Sequence, residues 1–302
     1  VYGFVRGYLE EATAEAIANG RRVPELARKL KKVCLDVLKH FPAPPPDVLS
    51  TCSADSFLDG PPAESCEAEE ALVEETAARL AGAGAGAGEQ DPRASVQFSD
   101  VYRSLYFVTA LVLQPDLEDT NNSHTPAKEA RLIHALLGSC MGGAPEPGAA
   151  VYEGFRELMS LWARYTELLR YDLCFNPGRA DSWKLLGEAY DQLIDVCMND
   201  ASKLETSAQW HQDPANAARV AVYRQRTRRA WLMARHLTGD PAAGADDKHD
   251  VRFYLDHMLG LCAFDPLQDV PPTFDQRSLL VGHREASADA LRLAERCFLR
   301  GR

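Results

Sequence analysis

The sequence YDLCFNPGRADSWKLLGEAY, residues 171–190, predicts how this chain folds. Four of its residues, Trp183, Leu186, Gly187 and Tyr190, recur at helical spacing. On a helix with about 3.6 residues per turn they share one face, where two aromatic rings and a leucine can be buried. Gly187 has no side chain and lets a neighbouring helix approach closely. We therefore expect a packed helix at this point of the chain.

The spacing W-x2-L-G-x2-Y is the one that opens a tetratricopeptide-type helical hairpin. Pro177 lies just before it and is expected to end the preceding helix, because proline has no amide hydrogen and disfavours helical geometry in the residue before it. Asp181 or Ser182 is the expected N-cap of the new helix. No other segment repeats all four residues. We therefore expect an irregular array, in which prolines and apolar stripes mark the other hairpins.

The composition is that of a folded, acidic protein. Of the 302 residues, 46% are hydrophobic, which is enough for a core, and the formal net charge is −11. This charge argues against wholesale nucleic-acid binding and is compatible with a basic partner. The eight cysteines are scattered without a C-x2-C pair, as expected of buried thiols in an intracellular protein. No apolar run approaches the roughly 18 residues of a membrane span, and the start at Val1 suits a fragment of a longer protein.

The apolar pattern predicts an all-α fold, specifically an irregular tetratricopeptide-like helical repeat, or α-solenoid, with disordered linkers. We place a helical hairpin in residues 1–42 and a linker with an acidic helix and a Gly/Ala spacer in residues 43–95. The helical repeat region follows in residues 96–302. Its helices are expected over residues 96–113, 127–141, 151–175, 183–200, 219–238, 247–264 and 275–299.

Proline, glycine and polar residues mark the expected breaks between these helices. Residues 43–62 have the composition of a linker, and the alternation GAGAGAG that follows the acidic helix of residues 63–80 is expected to be a flexible spacer. Residues 114–126 are expected to form an exposed loop, and the dipeptide Asp265-Pro266 to end a helix. Residues 201–217 are longer and more polar than a hairpin turn. Residues 151–175 are either one long helix or two helices with a break near Ser160.

Short motifs of catalysis are absent from the sequence. It has no phosphate-binding loop, dinucleotide fingerprint, HExxH zinc motif or GxSxG nucleophile elbow. We therefore expect a protein that is not an enzyme and that uses no cofactor and no metal ion.

Three clusters of reactive side chains have simpler explanations than catalysis. Two histidines and two aspartates of residues 249–257 are spaced too widely for a metal site. A histidine and a cysteine on the helix of residues 127–141 are interpreted as core or boundary residues. Four glutamates of the acidic helix are interpreted as a solvated face, with a basic, histone-like partner as the alternative. The clusters are His249, Asp250, Asp256 and His257; His134 and Cys140; and Glu69, Glu70, Glu74 and Glu75.

One basic helix stands out in this acidic chain. Residues 219–236 contain six arginines and no acid, interleaved with Tyr223 and Trp231. Such a helix can bind a nucleic-acid phosphate, an acidic peptide or calmodulin. Alternatively, its apolar residues pack the helix onto its neighbours and its arginines pair with Asp191, Asp195 or Glu205. The candidate interaction surface consists of Arg224, Arg228, Arg229 and Arg235.

Short sequence words within residues 151–210 carry a resemblance to a known family. They are Asp172-Leu173-Cys174, Asn176-Pro177, Arg179, Asp181-Ser182-Trp183 and Leu186. With the tyrosine- and leucine-rich helix before them and the polar insertion after them, they resemble the tetratricopeptide-like region of the cabin family. That family comprises calcineurin-binding protein cabin and the third subunit of the fungal histone-regulator (HIR) complex. Ala180 and Lys184 depart from the expected pattern.

The resemblance implies a nuclear scaffold subunit of a replication-independent histone H3–H4 chaperone complex, without enzymatic activity. Its partners would be the other subunits of that complex, with histones bound indirectly and with no membrane or direct nucleic-acid binding. It implies no contact residues of a binding site. Two alternatives are a generic repeat adaptor outside chromatin and an RNA-binding repeat protein that uses the arginine helix. The residues that we interpret as structural are Pro177, Trp183, Leu186, Gly187 and Tyr190.

Overall fold

A computed structural model describes most of the chain. The described residues are 33–41, 43–82, 99–123, 153–202, 214–239, 246–268 and 283–300. All regular secondary structure within them is helical, which confirms the all-α fold. No helix in these ranges is long and apolar enough to cross a membrane.

The described helices have the following bounds. Residues 33–38 are helical and precede nine further helices. These are α1 (Pro46–Ser50), α2 (Ser53–Leu58), α3 (Cys66–Gly82), α4 (Ser99–Ser123), α5 (Glu153–Phe175), α6 (Ala180–Ser202), α7 (Pro214–Thr238), α8 (Asp246–Gln268) and α9 (His283–Arg300).

The chain divides into two compact units, and each is discontinuous in sequence. Unit 1 consists of Val1–Cys52 and Ala87–Pro177, and unit 2 consists of Ser53–Gly86 and Gly178–Arg302. The stretch of residues 171–190 is therefore shared: it contributes the end of α5 to unit 1 and the start of α6 to unit 2. The sequence-based domain boundaries after residues 42 and 95 stay a prediction.

Unit 1 is centred on a group of aromatic rings. Tyr102 on α4 stacks on Phe175 on α5 with ring centroids 5.0 Å apart, and Tyr106 meets Tyr171 edge-on at 5.4 Å. Residue numbers rise along α4 as they fall along α5, so the two helices are antiparallel. Phe41 meets the Tyr102 ring edge-on at 5.2 Å. Because stacked and edge-to-face rings are favourable arrangements, this group fixes how the helices of unit 1 pack.

Unit 2 contains the helix that the sequence singled out. Trp183, Leu186 and Tyr190 on α6 are each fully buried, as the shared helical face predicts. A Cβ atom placed on Gly187 would lie 2.3 Å from the Trp231 ring of α7, so the glycine is needed for the close approach of the two helices. Together with a stack of Tyr190 on Tyr223 at 6.0 Å, this pairing makes α6 and α7 antiparallel.

Several expected breaks are absent from the structure. Residues 43–62, expected to be a linker, contain α1 and α2, because Val48, Phe57 and Leu58 find buried positions. Helix α4 continues past residues 114 and 115 to Ser123, and Leu117 in this continuation is buried. Helix α8 likewise passes Asp265 and ends at Gln268. In residues 43–62 and in α4, tertiary packing outweighs a local breaker signal.

The remaining boundaries differ from expectation by a few residues or lie outside the described ranges. Residues 151–175 contain one helix, α5, with no break near Ser160. Helix α6 begins at Ala180, so Asp181 lies inside its first turn rather than at the cap. Pro177 does end α5, which stops at Phe175. The expected elements in residues 1–32, 83–98 and 127–141 fall outside the described residues, as does the part of the insertion in residues 203–213.

Candidate functional site

The candidate interaction surface lies on α7, the arginine helix, and its side chains point into unit 2. Arg229 is fully buried, and Arg224 and Arg228 are each 5% exposed. The side chain of Arg235 is 14% exposed. This burial does not fit a surface on which these arginines meet an external ligand directly. They are held instead by groups of the same unit.

The centre of the site is the Glu69 carboxylate on α3, which two arginines share. Arg228 donates from Nε to Glu69 Oε2 and from Nη2 to Oε1 at 3.4 Å. Arg229 donates from Nε to Glu69 Oε1 at 3.2 Å. Because charge-assisted bonds of this kind are stronger than neutral ones, the carboxylate fixes α3 against α7. Glu69 is fully buried, so its interpretation as part of a solvated face was wrong.

The guanidinium of Arg229 also binds the connection between α2 and α3. Its Nη1 donates to the carbonyl oxygens of Phe57 at 2.7 Å and Gly60 at 3.0 Å, and its Nη2 donates to that of Pro61. These carbonyls lie at the end of α2, where a helix carries unpaired acceptors and a partial negative charge. Burial lowers the pKa of Arg229, and the Glu69 carboxylate opposes that shift.

Two neighbours of Arg229 on α7 extend this contact. Gln225 donates from Nε2 to the Gly60 carbonyl oxygen at 2.7 Å. Arg226 donates from Nε to Asp59 Oδ1 at 2.7 Å and forms an ion pair there. The turn of residues 59–61 is therefore bound by three side chains of α7, those of Gln225, Arg226 and Arg229.

A second set of ion pairs lies towards the end of α7. Arg235 Nε is 2.8 Å from Asp256 Oδ1 on α8, and its Nη1 is 3.9 Å from Glu70 Oε1 on α3. Burial lowers the pKa of Arg235 and raises that of Asp256, and their attraction opposes both shifts. From α9, Arg296 lies 3.4 Å from Glu67 and Arg300 lies 3.9 Å from Glu70.

The partners that the sequence suggested for the arginines match the structure only in part. Arg224 does face Asp191, whose pKa is raised to about 7 by burial and by the nearby carboxylates of Asp195 and Asp265; Arg224 opposes the shift. Glu205 lies outside the described residues. The main partners, Glu69 and Glu70, come from more than 150 residues earlier in the chain. Sequence proximity does not reveal such pairs, although the acidic helix with its opposite charge is a signal for them.

The other clusters hold no metal site in the residues that the structure describes, where no group of three or more potential ligands comes together. Asp256 pairs with Arg235 as above, and His257 is stacked on Phe253 and lies 5.8 Å from the Phe298 ring. His134 and Cys140 lie outside the described ranges. Among the seven described cysteines none forms a disulfide, and five of them are buried.

Comparisons with known proteins agree with these helices. Residues 157–262, from within α5 to within α8, match the family model of the HIR3 helical bundle domain. Calcineurin-binding protein 1 of Arabidopsis thaliana is 31% identical over 261 residues, which cover 83% of this chain. The chain belongs to the cabin/HIR3 family. The match to this cabin/HIR3 relative spans 12% of the relative's length. No solved structure matches the chain.

Proposed function

We propose that this chain is a non-enzymatic scaffold segment of a nuclear histone H3–H4 chaperone complex, acting by protein–protein interaction in replication-independent nucleosome assembly. The observation that carries the proposal is the match of residues 157–262 to the HIR3 helical bundle domain. Those residues include α6 and α7, whose buried face forms the centre of unit 2. The name of the plant relative also describes a protein that binds another protein.

Charge and architecture support this role. With a net charge of −11, the chain repels nucleic acid and attracts basic surfaces over distances of about a Debye length, roughly 8 Å at physiological salt. Helices α6 and α7 form an antiparallel pair, α7 packs on α8, and α8 packs on α9. Consecutive packing of this kind is compatible with a tetratricopeptide-like solenoid, a class of fold that offers extended protein-binding surfaces.

An RNA-binding repeat protein is the weaker alternative, because the arginines that it requires are buried. A phosphate has no access to Arg228 or Arg229 while both hold Glu69. A generic adaptor outside chromatin shares the same fold and differs only in its partners, so the identity of the bound proteins separates the two.

Affinity purification of the tagged protein from nuclear extract tests the proposal. We expect the other subunits of a HIR-type complex to co-purify, with histones present only when those subunits are present. Recovery of unrelated cytoplasmic proteins in place of the chaperone subunits would overturn the proposal and favour the generic adaptor.

A further inference from the structure

Residues 53–82, which we call the acidic strap, form α2, the turn of residues 59–61 and α3. The strap belongs to unit 2, but the remainder of that unit begins only at Gly178. It also lies outside the residues that match the HIR3 helical bundle domain. The strap is therefore remote in sequence from the rest of unit 2.

Ion pairs hold the strap in place, with the negative charges on the strap and the positive charges on the rest of unit 2. Its described ion pairs with the rest of unit 2 all place the carboxylate on the strap and the guanidinium on α7 or α9. The carboxylates belong to Asp59, Glu67, Glu69 and Glu70, and the guanidinium groups to Arg226, Arg228, Arg229, Arg235, Arg296 and Arg300. We call these six the arginine face. Charge complementarity of this kind determines which segment binds and in which orientation.

The apolar contribution of α3 is small in comparison. Of its 17 residues, the buried hydrophobic ones are Cys66, Val73 and Ala77. The strap's large buried side chains are in α2, where Phe57 meets Trp183 edge-on at 5.8 Å. A helix attached mainly by ion pairs and hydrogen bonds can open at a lower free energy than helices that share a core such as α6 and α7.

Opening of the strap would uncover the arginine face. Arg228 and Arg229 would lose their shared carboxylate, and the carbonyls bound by Arg229 and Gln225 would leave with the turn. Guanidinium groups in a partly apolar site that have lost such a counter-charge favour a ligand that restores the carboxylate and the carbonyl acceptors. An acidic helix that follows a tight turn supplies both.

We propose that the acidic strap is a releasable intramolecular ligand, and that the arginine face it covers is a docking surface for an acidic helix of a partner protein. The occupant has the chemistry of the strap itself: a carboxylate shared by two arginines and a preceding turn whose carbonyls accept from a third side chain. This inference does not depend on the complex in which the protein acts.

Peptide binding to the full chain tests the proposal. The probe is a fluorescein-labelled peptide with the sequence of residues 53–82, and the variant is Glu69→Lys, which places a cation opposite Arg228 and Arg229. We expect the variant to bind the peptide at least about tenfold more tightly than the unaltered chain, whose own strap competes. Raising NaCl from about 0.05 to about 0.5 M should weaken the binding by screening. The control chain is Glu75→Lys, since the Glu75 side chain is 70% exposed.

Two outcomes of this experiment would overturn the proposal. One is a Glu69→Lys chain that stays helical by circular dichroism and binds no peptide. The other is a Glu69→Lys chain that unfolds altogether, because a releasable strap must leave its unit folded. A peptide carrying Glu69→Gln should bind poorly; equal binding would show that the shared carboxylate does not recognise the face.

Hydrogen exchange on the unaltered chain provides an independent measurement. We expect the amides of α3 to exchange through an opening that leaves α6 and α7 protected, and that opening should become more frequent as salt is added. Exchange of α3 at the same rate as α7 at every salt concentration would contradict a releasable strap.

Discussion

The two units differ in the contacts that hold their helices together. In unit 1 the rings of Tyr102, Tyr106, Tyr171 and Phe175 interlock between α4 and α5. In unit 2 a buried carboxylate, that of Glu69 on α3, is shared by two arginines of α7. Aromatic packing depends little on salt or pH, whereas buried ion pairs fix orientation but leave an uncompensated charge when one member is removed. Unit 2 should therefore be the more sensitive to single charge changes.

The largest effect is expected from Trp183→Ala in unit 2. The indole is fully buried and meets Phe57 edge-on, so its removal leaves a cavity and should lower the free energy of unfolding by roughly 3 to 5 kcal/mol. Urea denaturation followed by circular dichroism measures the loss. An unchanged midpoint would mean that this tryptophan is not in the core of unit 2.

Glu69→Gln removes the shared charge at the centre of unit 2, and we expect it to cause the next largest loss of stability. The change removes the counter-charge that the buried Arg228 and Arg229 share, and breaking a buried pair costs about 3 kcal/mol. Hydrogen exchange resolved by segment should show the loss in α3 while α4 and α5 of unit 1 keep their protection. Glu74→Gln is the control, because Glu74 is exposed on the same helix. Equal effects of both variants would mean that the buried carboxylate of Glu69 contributes no more to the stability of unit 2 than an exposed one.

Gly187→Ala tests the close approach of α6 and α7. The added methyl carbon would lie 2.3 Å from the Trp231 ring, so the helices must separate or the ring must move, and we expect a loss of about 1 to 3 kcal/mol. Gly178→Ala is the matched control, because a Cβ atom at Gly178 meets nothing within 4 Å. Differential scanning calorimetry on both variants should show a lowered melting temperature for the first variant alone.

Tyr106→Phe tests unit 1 and should cause a smaller loss of stability. The Tyr106 hydroxyl donates to the Phe41 carbonyl oxygen at 3.3 Å, and the ring contacts survive the change. We expect a loss of about 1 kcal/mol, the usual net value of one hydrogen bond. The loss should be the same at low and high salt; a clear salt dependence would show that unit 1 also relies on charge.

The smallest expected effect is a pH dependence from Asp191. Burial, followed by repulsion from Asp195, Asp265 and Glu188, raises its pKa from 3.8 to about 7. Between those two pH values the folded state binds more protons than the unfolded state, so this group lowers stability as pH rises through that window. Asp191→Asn should therefore stabilise the protein above pH 7 by on the order of 1 kcal/mol, after allowance for solvent screening.

Urea midpoints of Asp191→Asn at low and high pH measure that effect. Below pH 3.8 the carboxyl is protonated in both states, and the variant should match the unaltered protein at that end of the titration. If Asp191→Asn is stabilised equally at low and high pH, the Asp191 carboxylate is not destabilised by burial and by neighbouring negative charges.

The sequence predicts the helical fold and the packing of α6, and its limits have physical causes. Spacing alone places Trp183, Leu186 and Tyr190 on one buried face, because helical periodicity is local information. The continuation of α4 past residue 115 depends on tertiary packing, which no local pattern contains. The pairing of Glu69 with Arg229 is equally non-local. The composition of residues 219–236 predicts a basic helix, but the burial of its arginines depends on the acidic strap. Part of that strap lies within residues 43–62, whose composition predicts a linker.

The discontinuity of unit 2 has a consequence for the synthesis of the protein. Glu69 and Arg229 are 160 residues apart in sequence, so α3 leaves the ribosome long before its counter-charges exist. At about 5 to 20 residues per second the delay is on the order of ten seconds, far longer than helix formation or chain collapse. During that interval the newly made acidic helix lacks the arginines of α7 and α9 that pair with it in the folded unit 2. Maturation of unit 2 is thus timed by translation, and a pause after the codons of α3 would lengthen the period in which that helix is exposed to chaperones.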